Sequence, residues 1–185
     1  MALIKNLVAC FRGNTKCVIK KIFHWNSFTY HPMIRINRDV ELRISQGGVI
    51  NFSKGILIEA RTICSVSDGG VLSLGKMVGV NCNSMIMCHE KILIGDHTIM
   101  GPNVLVYDHD HLFASTDGVM RNKYKTSPVT IGQNCWIGAN CIILRGTNIG
   151  DNCIIAAGSI IKGEYPANSI VIQKRQTVTM AVKNE

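Results

Sequence analysis

The sequence has no apolar run long enough to cross a bilayer. Its longest stretches, such as 154–161, are short and dotted with Gly and Ser, whereas a span needs about 20 residues. It offers no secretory leader, because the first apolar stretch, 2–11, is interrupted by Lys5 and no small-residue cleavage site follows. A cytoplasmic location is therefore expected. Eight cysteines are present, but no C-x-x-C pair occurs, so the usual metal and redox spacings are missing. Aromatic residues are few, and no recognition motif or stacking set marks a nucleic-acid-binding surface. Acidic residues are scarce at the front: residues 1–43 hold eight Lys or Arg against Asp39 and Glu41, a local charge of +6 within a total of +8. Such a region suits a phosphorylated ligand, an anionic glycan or an anionic membrane surface.

What the sequence does have is aliphatic residues at a period of six. From Ile131 the chain reads IGQNCW, IGANCI, ILRGTN, IGDNCI, IAAGSI, with Ile first every time and Cys, Thr or Ser fifth. The same phase appears in IGDHTI from Ile94 and MGPNVL from Met100, and weaker copies start at Ile50 and Ile56. Six fits neither a helix nor simple alternation over this distance. It fits a solenoid in which each hexad is a short strand and a turn.

Strand side chains alternate, so positions five and one point inward and position six points out. The inward set stacks Ile on Ile beside small residues, which gives Cys135, Cys141 and Cys153 a buried structural role. Gly and Asn supply the left-handed turns. The outward set holds Ile99, Leu105, Trp136, Ile142, Ile154 and Ile160. A row of apolar residues outside a solenoid wants a partner surface, from the same chain's termini or from another subunit.

Hexads of this form resemble the hexapeptide-repeat transferases. The resemblance implies an all-β solenoid, a left-handed parallel β-helix of triangular section, although the general rule for parallel crossovers favours the opposite hand. It covers residues 44–162. Residues 1–43 then form an amphipathic helical cap and 163–185 a tail, with Leu3, Ile4, Leu7, Val8 and Phe11, then Val18, Ile19 and Ile22, at helical spacing. Gly13 and Asn14 are expected to divide that run into two helices. The basic amphipathic segment either caps the solenoid or lies on an anionic membrane, which allows a peripheral position at the inner face of the cytoplasmic membrane.

The pattern breaks once. After Val106 the chain leaves the repeat and rejoins at Ile131, one residue out of phase, so 108–130 is read as an extruded loop. It opens with Asp108-His109-Asp110-His111. In extended backbone the two His face one way and the two Asp the other. Histidine exchanges a proton near neutral pH, and a neighbouring carboxylate can fix its tautomer, so this excursion is the candidate site.

The segment GPNVLVYDHDH is similar to the active-site strand of galactoside, maltose and polysaccharide O-acetyltransferases. That resemblance implies acetyl transfer from acetyl-CoA to a sugar hydroxyl, with no metal and no covalent intermediate. It makes His111 the general base and His109 second choice. Asp108 and Asp110 flank the acceptor, and Asn81 holds the acceptor hydroxyl. Trp136 walls the pantetheine arm and Ala157 lies against it. Amides near Gly101 and Ala139 are candidates to steady the thioester oxygen. The tail departs from the family, with Gln173-Lys174-Arg175 where Gly-x-Pro is usual. Lys162, Lys174 and Arg175 could meet the phosphates of CoA by charge. The resemblance also implies a homotrimer with sites between subunits.

Other readings stay open. Serine or an antibiotic could be the acceptor. Cys82 or Cys88 could carry a covalent route. A zinc lyase similar to the γ-type carbonic anhydrases could draw ligands from His89, His97, His109 and His111, although their spacing lacks the His-x-x-x-x-His pattern. A non-catalytic scaffold is the remaining class.

Overall fold

The computed structural model describes residues 2–37, 39–114, 116, 118–174, 176, 178 and 179, with backbone alone for 2–9 and 12. Among these lie one helix, α1 (Ala2–Phe23), and 22 short strands. Two seven-stranded sheets and one six-stranded sheet, all parallel, form the three faces of a left-handed β-helix. The chain visits first face, second face and third face in turn, then rises to the next coil.

The repeat does what its chemistry requires. Ile131, Ile137, Ile143, Ile149, Ile155 and Ile161 are at most 1% exposed, as are Cys135, Cys141, Cys153 and Thr147. Register stacks like on like: Ile131 over Ile149, Ile137 over Ile155, Ile143 over Ile161. The corners need a left-handed residue, and Asn supplies it at Asn83, Asn103, Asn134, Asn140, Asn152 and Asn168. Asn side chains also bond along the corners, as in Asn103 to Asn140 at 3.0 Å and Asn152 to Asn168 at 3.1 Å.

The solenoid begins earlier than residue 44, with Phe28–Tyr30 paired beneath Val49–Phe52. It also runs past 162, to Ile170–Val171. The early coils hide their period because Ile50 sits 22 residues above Phe28 and Leu72 22 above Ile50, against 18 between Ile131 and Ile149. Four-residue strands and turns through Gln46-Gly47 and Asp68-Gly69 supply the extra length.

The N-terminal cap is one continuous helix, not two. Gly13 lies within α1 rather than at a break, at a point where the first coil comes too close for a side chain: a Cβ there would lie 2.8 Å from the Ile36 amide nitrogen. Asn14 turns its amide back to the Cys10 carbonyl at 2.9 Å. Cys17 is fully buried, and Lys16 reaches the Val40 carbonyl at 2.5 Å.

Residues 108–128 leave the solenoid as an antiparallel hairpin, His109–Ala114 against Gly118–Thr126. The stack closes behind it: Lys91–Ile94 pairs directly with Val129–Ile131, as if the insertion were absent.

Candidate functional site

The hairpin leaves from the third corner, between third and first faces, and Asp108 anchors it. This carboxylate is fully buried. Its oxygens accept the backbone N–H groups of His89, Glu90 and Lys91, each at 2.8 Å. Burial pushes its pKa up, but the His109 contact and these amides outweigh it and hold the carboxyl below the usual range. The expected contact of Asp108 with an acceptor does not hold, because its oxygens are sealed off and already satisfied; it ties the hairpin to the coil beneath.

Two imidazoles meet at that anchor. His109 Nδ1 lies 3.1 Å from Asp108, and its ring centroid is 3.9 Å from that of His89. His89 Nδ1 in turn lies 2.6 Å from Asp68. Tyr124, directly opposite His111 on the hairpin, gathers the group: its ring is 4.2 Å from His89, 5.2 Å from His109 and 4.8 Å from His111. The two hairpin histidines thus share a face, as alternation requires. His109 is hemmed in, with 11% of its side chain exposed, whereas His111 is open to solvent. Asp110 points the other way and pairs with Arg145 on the next coil.

Beside this cluster is a cleft of about 290 Å³ lined by Ser45, Ser65, Ser67, Asp68, His89 and Tyr124, among others. Asn122 reaches it from a bulge in the hairpin, where the register slips between His111 and Leu112. Hydroxyls, an amide and a carboxylate at this density suit a ligand rich in hydroxyl groups. Sequence spacing conceals the grouping of Asp68, His89 and Tyr124 with the hairpin histidines, and the pairing of Asp110 with Arg145; only the rise of a coil, about 20 residues, aligns Asp68 with His89 and His89 with Asp108.

The cofactor candidates gather at a different corner, between second and third faces. Gly101, Ala139 and Ala157 occupy it on successive coils, and Asn81, the residue expected at the acceptor, lies at the same corner one coil below Gly101. The packing there is tight: a Cβ on Gly101 would lie 2.7 Å from the Ala139 amide nitrogen, and one on Gly138 2.5 Å from that of Ala157. A flat lane of small residues results, which fits a narrow chain such as a pantetheine arm. Trp136 stands beside it on the second face, 54% exposed, in a groove of about 370 Å³ shared with Asn81 and Gly101. The Gly101 amide is not available to a thioester oxygen, since it donates to the Ile137 carbonyl at 2.8 Å in the ladder. The Ala139 amide has no such partner among the described residues. Asn81 Oδ1 accepts the Cys82 amide at 2.8 Å, so its NH₂ is the end open to a ligand.

The basic residues expected at the phosphates divide. Lys174 follows the second face at the end of the same lane, but Lys162 lies on the third corner, and Arg175 lies outside the described residues. Gln173, where the family pattern has Gly-x-Pro, bonds both the Ile160 amide (2.9 Å) and carbonyl (2.6 Å) and extends the third face beyond its last strand.

Two competing chemistries fit poorly. Cys88 is buried and its thiol is pushed up, chiefly by burial and then by Asp108, so it is not a thiolate nucleophile. Among the described residues no group of three or more His, Cys, Asp or Glu is placed to hold a metal. His97 sits at a left-handed position of another corner, away from the other three imidazoles.

Known proteins resemble this arrangement. Residues 128–162 match the family described as the hexapeptide repeat of succinyl-transferase. The chain is 30% identical over 137 residues to an Escherichia coli protein provisionally assigned as a lipopolysaccharide biosynthesis O-acetyl transferase, covering 69% of both. It spans about half the length of several other curated relatives. A maltose O-acetyltransferase from Clostridium difficile superposes with a TM-score of 0.54 and 31% identity, over 67% of this chain and 63% of that one. A variant of an N-acyltransferase from Bacillus cereus shares the fold, with a TM-score of 0.67 over 84% and 86% of the two chains at 17% identity. An identity running through two thirds of both chains is a property of the coil as a whole rather than of one repeat, and the chain belongs to the hexapeptide-repeat acetyltransferases.

Proposed function

We propose that the protein transfers an acetyl group from acetyl-CoA to a hydroxyl of a sugar or polysaccharide precursor, with His111 as general base. The observation that carries this reading is an exposed His111 on Tyr124 beside a cleft of serine hydroxyls, Asp68 and His89. His111 takes the proton of the acceptor hydroxyl as that oxygen attacks the thioester carbonyl, and returns it to the departing thiolate. His109, paired with Asp108, packs the base side of the cleft. The relatives whose names specify maltose and lipopolysaccharide biosynthesis support a saccharide acceptor.

The base and the small-residue lane lie on different corners of one chain, which supports a homotrimer with each site shared between neighbours. His111 and the acceptor cleft of one subunit would then face Asn81, Trp136, Ala139, Ala157 and Lys174 of the next. Exposed apolar residues on two faces (Ile99, Trp136 and Ile170; Ile160) and at the hairpin tip (Phe113, Val119) are the surface such an assembly would bury.

The test is thiol release from acetyl-CoA against a panel of sugars, glycan fragments and serine, using wild type and His111→Ala. Sugar-dependent release that the substitution abolishes is the expected result. Release that survives it moves the base to His109; release with serine alone replaces the saccharide reading; no release with any acceptor removes the reading altogether.

A further inference from the structure

Helix α1 carries two apolar faces, and the coil uses one. The face holding Gly13 and Cys17 packs on the first coil. The other holds Phe11, Val18, Ile19 and Ile22, at helical spacings, and these are 75%, 47%, 50% and 66% exposed. Phe23 at the helix end and Trp25 just beyond it extend the stripe, at 78% and 71%. Cations accompany it. Lys21 donates to the Trp25 carbonyl at 2.5 Å and sits 5.1 Å from the centre of the Trp25 ring, while Lys20 shares the last turn. Residues 1–38 contain seven Lys or Arg and no Asp or Glu.

We infer that α1 and the turn after it dock the protein on an anionic lipid bilayer, lying in the headgroup region without crossing. Among the described residues no helix is long and apolar enough to span. An outward stripe of Ile, Val and Phe with an aromatic–lysine pair at its end matches the boundary between acyl chains and phosphates, where rings and cationic head groups coexist. Charge separates this occupant from a second copy of the chain. Packing two such stripes together brings two acid-free cationic segments into contact, which repels, whereas an anionic surface attracts both. The docking rests on the helix alone; resting on the transfer reaction proposed above, it further points to an acceptor that is itself presented at a membrane.

The test is flotation of the full chain with vesicles of phosphatidylcholine alone and of equimolar phosphatidylcholine and phosphatidylglycerol. Wild type is expected to float with the mixed vesicles only, to be released by salt, and to show a blue shift of Trp25 emission in a Trp136→Phe background. Ile19→Glu/Ile22→Glu, both on the outward face, should lower the bound fraction by about tenfold or more. That variant should keep the circular dichroism of the wild type and its acetyl transfer to a water-soluble acceptor. Ile170→Glu, an equally exposed isoleucine on the last coil, should leave flotation unchanged. Three outcomes overturn the inference: no flotation of the wild type, equal flotation of wild type and double variant, or equal binding to both vesicle types. A lipid-free wild type whose mass in solution falls on the Ile19→Glu/Ile22→Glu change also overturns it, in favour of a second copy on that face.

Discussion

Two neighbouring stretches use their residues in opposite ways. Between 131 and 161 every sixth side chain is an inward Ile, the fifth is small, and most strand backbone groups are taken up by the ladder. Between 108 and 128 the chain leaves the ladder, exposes most of its side chains, and its two strands pair only with each other. The first stretch builds the coil and offers only small residues and Trp136 along its surface; the second has imidazoles, a tyrosine and a bulge. Because Lys91–Ile94 pairs with Val129–Ile131 beneath it, the hairpin hangs on the coil at Asp108 and Arg145 without interrupting it. Repetition builds the scaffold, and the one departure from repetition carries the reactive groups.

Substitutions on the two sides should therefore separate activity from stability. The largest expected effect is His111→Ala, which should lower kcat by about 10²–10⁴-fold while leaving the thermal midpoint unchanged, since the ring is exposed; a collapse of the midpoint would show the hairpin to be part of the core. Next is Ile143→Ala, stacked between Val106 and Ile161. It should cost about 2–5 kcal/mol in denaturant unfolding with turnover per folded molecule retained.

Asp108→Asn falls on the boundary between the two regions and should cost about 1.5–3 kcal/mol, since three amides lose a charged acceptor. Its pH dependence has a definite sign. The folded carboxyl titrates below its unfolded value, so the stabilisation is complete above the ordinary carboxylate range, about pH 4, and is lost as pH falls through the depressed folded value. Wild-type stability should therefore drop more steeply in acid than that of the variant; parallel acid profiles would remove the anchor role.

The smallest effect belongs to Arg145→Ala. Half of the Asp110 side chain is exposed, so the pair is worth less than about 1 kcal/mol to unfolding. A rise in KM at constant thermal midpoint is expected, and an unchanged KM would mean that Asp108 holds the hairpin alone.

The inward Ile and Cys of 131–161 were legible because a strict period of six repeats the same local decision five times, and Trp136 and Ile160 were legible as outward for the same reason. The first coil was not, since coils of 22 residues carry their extra length in the third corner and lose the phase. Gly13 read as a break because its contact, the Ile36 backbone, lies far along the chain. Among the site residues, alternation correctly put His109 and His111 on one face. It could not tell that Asp108 faces three amides from the previous coil or that Asp110 faces an arginine from the next.

What the sequence by itself determined is the regular part of the coil: which residues of 131–161 face in, where their corners turn, and where the repeat breaks for the hairpin. These follow from alternation and from the backbone freedom of Gly and Asn, both local properties. Only the tertiary structure decided which parts of the site meet. Asp68 and His89 join the hairpin histidines because each coil rises to stack one strand on the last, Tyr124 joins them across the hairpin, and Gly101, Ala139 and Ala157 align at another corner. A contact between coils depends on the number of residues in every corner between them, and no single hexad records that number.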